Sequence, residues 1–242
     1  MDQNTDQNAD QNPGHDTPSP SYDREARGVR LVVVLLGLTV VSGLIDAVSY
    51  LGLGHVFTAN MTGNVVVLGF AAAGAPGFSV PHTLTSLGAF LVGAVAGGRI
   101  AVRMDAGSRR TWARVSLGAE AVLVGVAAVI AFAAPGDSAT TYPLIALTAF
   151  AMGLRNATVR KLKVSHFSTT TVLTMTLTGL VADSVAGDTS GPGALRRVLA
   201  VVAMVAGAFL GAWLTLHHGL RYPLLLAALA AGVFAVTASG QE

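Results

Sequence analysis

Cysteine is absent from all 242 residues, which excludes a disulfide framework, a thiolate metal centre and a cysteine nucleophile. Charge is scarce as well. Only 12% of the chain is Asp, Glu, Lys or Arg, against about a quarter in ordinary soluble domains, while 52% is hydrophobic. Lysine is nearly missing, with Lys161 and Lys163 the two examples, and this arginine-for-lysine bias in an Ala-, Gly- and Val-rich chain suggests a GC-rich bacterial source. The net charge of +2 is too small to specify a nucleic-acid partner. There is no phosphate loop, metal-ligand spacing or nucleophile elbow, so no cofactor, no metal and no enzymatic activity are expected.

What is present is a series of long apolar runs. Residues 1–28 form a polar leader with Asp-Gln-Asn at 2–4, 6–8 and 10–12 followed by Pro13, Pro18 and Pro20, a composition that builds no core and reads as a disordered tail. The first apolar run begins too deep and is too long for a cleaved signal peptide, so it is expected to remain as an anchor. Eight apolar segments follow, at roughly 31–53, 56–74, 84–104, 112–134, 141–160, 167–186, 197–216 and 222–238. Each approaches the ~20 residues that a helix needs to cross ~30 Å of hydrocarbon. The membrane domain is thus 29–238, with a short tail at 239–242.

The second and sixth segments differ from the others. Thr58-Ala-Asn-Met-Thr-Gly-Asn64 and Ser168-Thr-Thr-Thr-Val-Leu-Thr-Met-Thr-Leu-Thr178 are dense in hydroxyl and amide groups that a lipid-facing helix avoids. Both read as broken or re-entrant.

The chain also matches itself. Gly43-Leu-Ile-Asp-Ala47 aligns with Gly153-Leu-Arg-Asn-Ala157, Phe57 with Phe167, Met61-Thr62 with Leu173-Thr174, and Gly93 to Gly97 with Gly207 to Gly211, all at a nearly constant separation. Two related halves, 29–135 and 140–238, are therefore expected. Six spans plus two re-entrant segments would make the halves inverted, whereas eight spans would make them parallel. Six spans place nearly every basic residue on one face, with Arg221 on the other, which fits the bias of Lys and Arg toward cytoplasmic loops and puts both termini in the cytoplasm. The fold expected is an all-α integral membrane protein with six transmembrane helices and two broken polar segments, eight spans being the alternative.

Candidate functional residues are the polar groups at membrane depth. Asp46 lies about 15 residues into the first segment, roughly 20 Å along it, and a carboxylate there is expensive enough to suggest function or a buried ion pair. Its repeat mate is Asn156, next to Arg155, which could bind an anion, neutralise Asp46 or reach the cytoplasmic face. Asn60, Thr62, Gly63 and Asn64, with Thr170, Thr171 and Thr174 of the other half, could line a solute or ion site or only join helices by hydrogen bonds of ~1 kcal/mol. Glu120 could accept a proton alongside Asp46, or pair with Arg99 or Arg103. The Gly93/Gly97 and Gly207/Gly211 pairs suit close helix packing, expected between the two equivalent helices.

Gly43-Leu-Ile-Asp-Ala47 followed by Phe57-Thr-Ala-Asn-Met-Thr-Gly-Asn64 resembles the signature of the YoaK-like bacterial membrane proteins (DUF1275), and Gly153-Leu-Arg-Asn-Ala157 with Thr170-Thr-Val-Leu-Thr174 resembles its second half. The likeness spans roughly 31–238 and departs at Arg155, where Gln is expected, and at Met175, where Gly is expected. It implies an inner-membrane protein and carries no activity with it. From the residues, a small secondary transporter of an unknown solute, with its site between the halves and with room for a homo-oligomer, is the leading expectation. An oligomeric channel and a non-transporting scaffold or accessory subunit are the alternatives.

Overall fold

In the computed structural model, residues 20–103, 109–161, 177–179, 181 and 192–237 are described, and every regular element among them is helical. The helices are α1 (Pro20–Gly52), α2 (Met61–Ala72), α3 (Val80–Arg103), α4 (Arg109–Ala133), α5 (Thr141–Lys161), α6 (Pro192–His218) and α7 (Arg221–Thr237), with one 3-10 turn at Ser138–Thr140. α1 starts at Pro20, so 20–28 is helical rather than part of a disordered tail; proline suits a first helical turn because the amide it lacks would have no partner there.

Four stretches are long and apolar enough to cross a bilayer: Val32–Gly52, Val80–Arg103, Thr111–Ala133 and Leu195–His218. α5 has the length, its 21 residues rising about 31 Å, but carries Arg155, Asn156 and Arg160 within it. α7 has 17 residues. α2 has only 12 residues, about 18 Å of rise, and cannot span alone. The second apolar segment is therefore a non-helical stretch, Leu53 to Asn60, followed by a short helix. The other segment expected to be broken, 167–186, lies almost entirely outside the described residues.

Glycine decides how the long helices pair. Gly207 and Gly211 of α6 lie against the backbone of Val40 and Leu44 in α1, and Gly43 of α1 lies against Met204 and Ala208, so close that any Cβ there would collide with main chain. The same pattern joins α3 to α5: Gly93 and Gly97 meet Phe150 and Leu154, and Gly153 meets Phe90 and Ala94. The glycine pairs do pack helices closely. Their partners, however, are α1 and α5, not each other, which corrects the expectation that the two equivalent helices would pair.

The contact registers also give direction. In α1/α6 and α3/α5 the residue numbers rise together, so these pairs are parallel. α4 and α7 are antiparallel, with Gly125 near Ala228 and Gly232 near Ala121. α4 also packs on α5, α7 on α1, and α2 on α3. Short connections then fix the remaining senses: α1, α4 and α6 run one way, and α3, α5 and α7 the other. The apolar core forms where α1, α4, α5 and α7 meet, around Leu44, Ile45, Val48, Val124, Ala127, Ile145, Met152 and Leu224. Large apolar side chains on the outside, such as Val92, Val95, Phe209 and Leu216, are exposed, as suits an apolar surrounding.

Candidate functional site

The break after α1 leaves backbone amides and carbonyls that no helix satisfies, and two side chains supply the missing partners. Asp46 Oδ1 accepts from the amides of Thr58 (3.1 Å) and Ala59 (2.8 Å). Asn64, one turn into α2, clasps Phe57: its Oδ1 accepts from the Phe57 amide at 2.8 Å, while its Nδ2 donates to the Phe57 carbonyl at 2.6 Å and to Ser86 Oγ at 3.0 Å. Ser86 of α3 donates to the same carbonyl at 2.6 Å. Asp46 and Asn64 thus hold the stretch from opposite ends. An unsatisfied buried amide or carbonyl would cost ~1–3 kcal/mol, which is the reason for these residue types here.

Asn60 caps α2 by accepting from the Gly63 amide at 3.1 Å. A Cβ at Gly63 would meet the Phe57 ring. Tyr50 stacks on Phe57 with centroids 4.8 Å apart. His55 adopts a left-handed conformation at φ 58°, and its Nδ1 lies 2.9 Å from the Gly77 carbonyl, tying the end of α1 to the approach to α3. Thr62 is exposed on α2 and takes no part in this network.

Deeper in the bundle lies a charged cluster. Asp46, Glu120 and Arg155 are 5%, 0% and 3% exposed, and among the described residues they are the buried charged side chains. Arg155 Nη1 donates to Glu120 Oε1 at 2.9 Å, and its Nη2 donates to Ser42 Oγ. Glu120 therefore pairs with Arg155 and not with Arg99 or Arg103. Arg155 neither reaches the cytoplasmic face nor forms an ion pair with Asp46, although its charge acts on Asp46 through space. Ser42 is one turn before Asp46 on α1, so the two face the same interior. A second polar bridge, Ser116 to Thr158 at 2.6 Å, joins α4 to α5 beside the ion pair.

Two carboxylate oxygens, Asp46 Oδ2 and Glu120 Oε2, are buried with no hydrogen-bond partner among the described residues. Asn156, the residue expected from the sequence to match Asp46, donates to the Met152 carbonyl in its own helix at 3.0 Å. Asp46, Arg155 and Glu120 are therefore drawn into one interior, with Asn60, Gly63 and Asn64 shaping the break above it. Thr170, Thr171 and Thr174 lie outside the described residues. Ser42 and Ser86 escaped the sequence reading. Helical spacing from Asp46 would have found Ser42, but nothing local marks Ser86. No group of three or more His, Asp or Glu side chains suited to a metal occurs among the described residues.

The family described as "Protein of unknown function (DUF1275)" matches residues 34–237. The curated "UPF0700 transmembrane protein YoaK" of Bacillus subtilis (strain 168) is 36% identical over 150 residues, which are 60% of this chain and 64% of that protein. The match thus spans a little under two thirds of the relative's length. No solved structure matches.

Proposed function

The chain belongs to the DUF1275 family, and on that footing we propose that it is a small secondary transporter whose solute site lies between α1, α4 and α5, below the break at Leu53 to Asn60. The observation that carries this reading is a helix break fastened by one buried charge, Asp46, in the same interior as two others, Glu120 and Arg155. A charged side chain at the centre of a bilayer costs ~2.5–3.5 kcal/mol on insertion scales. Broken helices and buried charge are features from which transporters build solute and ion sites.

The helix directions support six spans in inverted halves. Under the sequence repeat α1 corresponds to α5, α3 to α6 and α4 to α7, and each helix runs opposite to its counterpart. α2 leaves and rejoins the end of the bundle shared by α1 and α3, as a re-entrant element does. Arg103, Arg114, Arg160 and Arg196 gather at the end from which α1 starts, whereas Arg221 stands at the opposite end, between Tyr222 (5.0 Å) and Phe132 (5.9 Å). This supports cytoplasmic termini in a bacterial inner membrane.

The test is uptake by proteoliposomes from a pool of small metabolites, with entrapped solutes identified by mass spectrometry. One or more solutes should accumulate under an imposed proton gradient with the wild-type protein and with Thr62→Ala, and should fail to do so with Asp46→Asn. Dissipative flux that ignores the gradient would favour a channel. No flux from a well-folded protein would favour the scaffold.

A further inference from the structure

Among the described residues, the interior of the bundle does not balance its own charge. Asp46 and Glu120 are two acids against one guanidinium, and no other charged side chain is buried among the described residues. With all three ionised the cluster carries one uncompensated negative charge. An unpaired buried charge costs several kcal/mol, so one further monovalent positive charge belongs there.

Geometry separates the two acids. Glu120 is in direct contact with Arg155 at 2.9 Å, so its charge is already met. Asp46 makes no ion pair: Oδ1 accepts from the neutral amides of Thr58 and Ala59, the Asn60 amide and the Arg155 charge act on the carboxylate at longer range, and Oδ2 has no hydrogen-bond partner among the described residues. Around it, α1 supplies Ser42 and Ser49, the break supplies Thr58, α4 supplies Glu120 and α5 supplies Arg155. α6 and α7 pack on α1 with small and apolar residues, and their titratable groups, Arg196, Arg197, His217, His218, Arg221 and Tyr222, sit in the end turns. A divalent ion would need several anionic or imidazole ligands together, and the described residues form no such group.

We propose that Asp46 holds one exchangeable proton on Oδ2, and that this proton is the coupling ion of the cluster. The site stands on the charge balance, whereas its use in coupling rests on the transporter reading above. The reaction is simple addition: the carboxylate takes up a proton to become a carboxylic acid, and no other bond breaks. Because the proton goes to Oδ2, Oδ1 keeps both amide donors. Those bonds change from charge-assisted to neutral, however, and charge-assisted hydrogen bonds are roughly twice as strong. Protonation thus loosens Thr58 and Ala59 from α1, and occupancy of the acid is transmitted to the break.

Infrared difference spectroscopy of the purified protein in lipid vesicles reads this without any solute. On titration from alkaline to acid pH, a protonated-carboxyl stretch should appear and shift in heavy water. It should be missing in D46N, and in E120Q it should persist as the aspartate band but appear only at more acid pH, because Arg155 is then left to meet Asp46 alone. Carbon-13 aspartate in the wild-type chain should move the same band, which keeps the test available if D46N does not fold. A band that survives D46N, or that moves with labelled glutamate instead, overturns the proposal in favour of Glu120. A chain with no titrating band overturns it too; if sodium then stabilises the protein against heat, a metal cation fills the place. If the band behaves as expected but no solute moves, the transporter reading fails and the proton site stands.

Discussion

Single residues in this protein carry tasks that their types alone do not reveal. Asn64 makes three side-chain hydrogen bonds to Phe57 and Ser86, so Asn64→Ala strands the Phe57 amide and Asn64→Asp removes the donor. Each should lower stability by about 1–3 kcal/mol, seen as an earlier thermal transition in detergent, with Thr62→Ala as the neutral control. Arg155→Ala should be worse. It leaves Glu120 and Asp46 buried together without a cation, a loss of about 3–5 kcal/mol. The double variant Arg155→Ala/Glu120→Ala should recover part of that loss in the same assay; additive losses would show that the pair is not the main function of either residue. Asp46 and Asn64 were legible as unusual because polar groups are rare in such segments. Their partners were not legible, since a sequence shows that a backbone group needs a donor without showing which part of the chain turns back to provide it. Glu120 and Arg155 illustrate the same gap, being 35 residues apart on different helices.

At the scale of helices, glycine acts as a spacer that is removed rather than added. Gly153→Ala and Gly207→Ala each place a methyl group into the backbone of the facing helix and should cost about 1–3 kcal/mol through overpacking. Gly88→Ala and Gly98→Ala, with nothing within 4 Å, should be neutral or gain up to about 1 kcal/mol from helix propensity. Thermal shifts of the four variants check both halves of this expectation. These glycines and the close packing they permit are legible in the sequence, because small residues at four-residue spacing have few other uses in apolar helices. Their partners are not legible there, since a repeat would report only which elements are equivalent, and equivalent elements need not touch. Under the repeat expected from the sequence α3 and α6 would correspond, yet α3 lies along α5 and α6 along α1.

For the molecule as a whole, the decisive quantity is which side of the membrane each connection occupies. The chain has no cysteine, so single cysteines can report this directly. Positions 76, 137 and 219, all exposed in connections at one end of the bundle, should react with an impermeant thiol reagent from the same side, and positions 103 and 114 from the other. Opposite accessibility of 55 and 76, both exposed and on either side of the break and α2, would mean that this stretch crosses the bilayer, and the inverted six-span arrangement would be lost. The apolar segments, the broken character of the second and the basic asymmetry were all visible in the sequence because each is a local compositional property. The sense in which each helix runs was not, because it depends on contacts between segments more than a hundred residues apart.

The pairing of α1 with α6 and of α3 with α5 also has a meaning in time. The first three long helices leave the ribosome and enter the membrane well before their glycine-lined partners exist, so the early chain waits half-assembled for the later one. Cutting the gene within the 134–140 connection should therefore yield two pieces that are each degraded when made alone and accumulate only when made together.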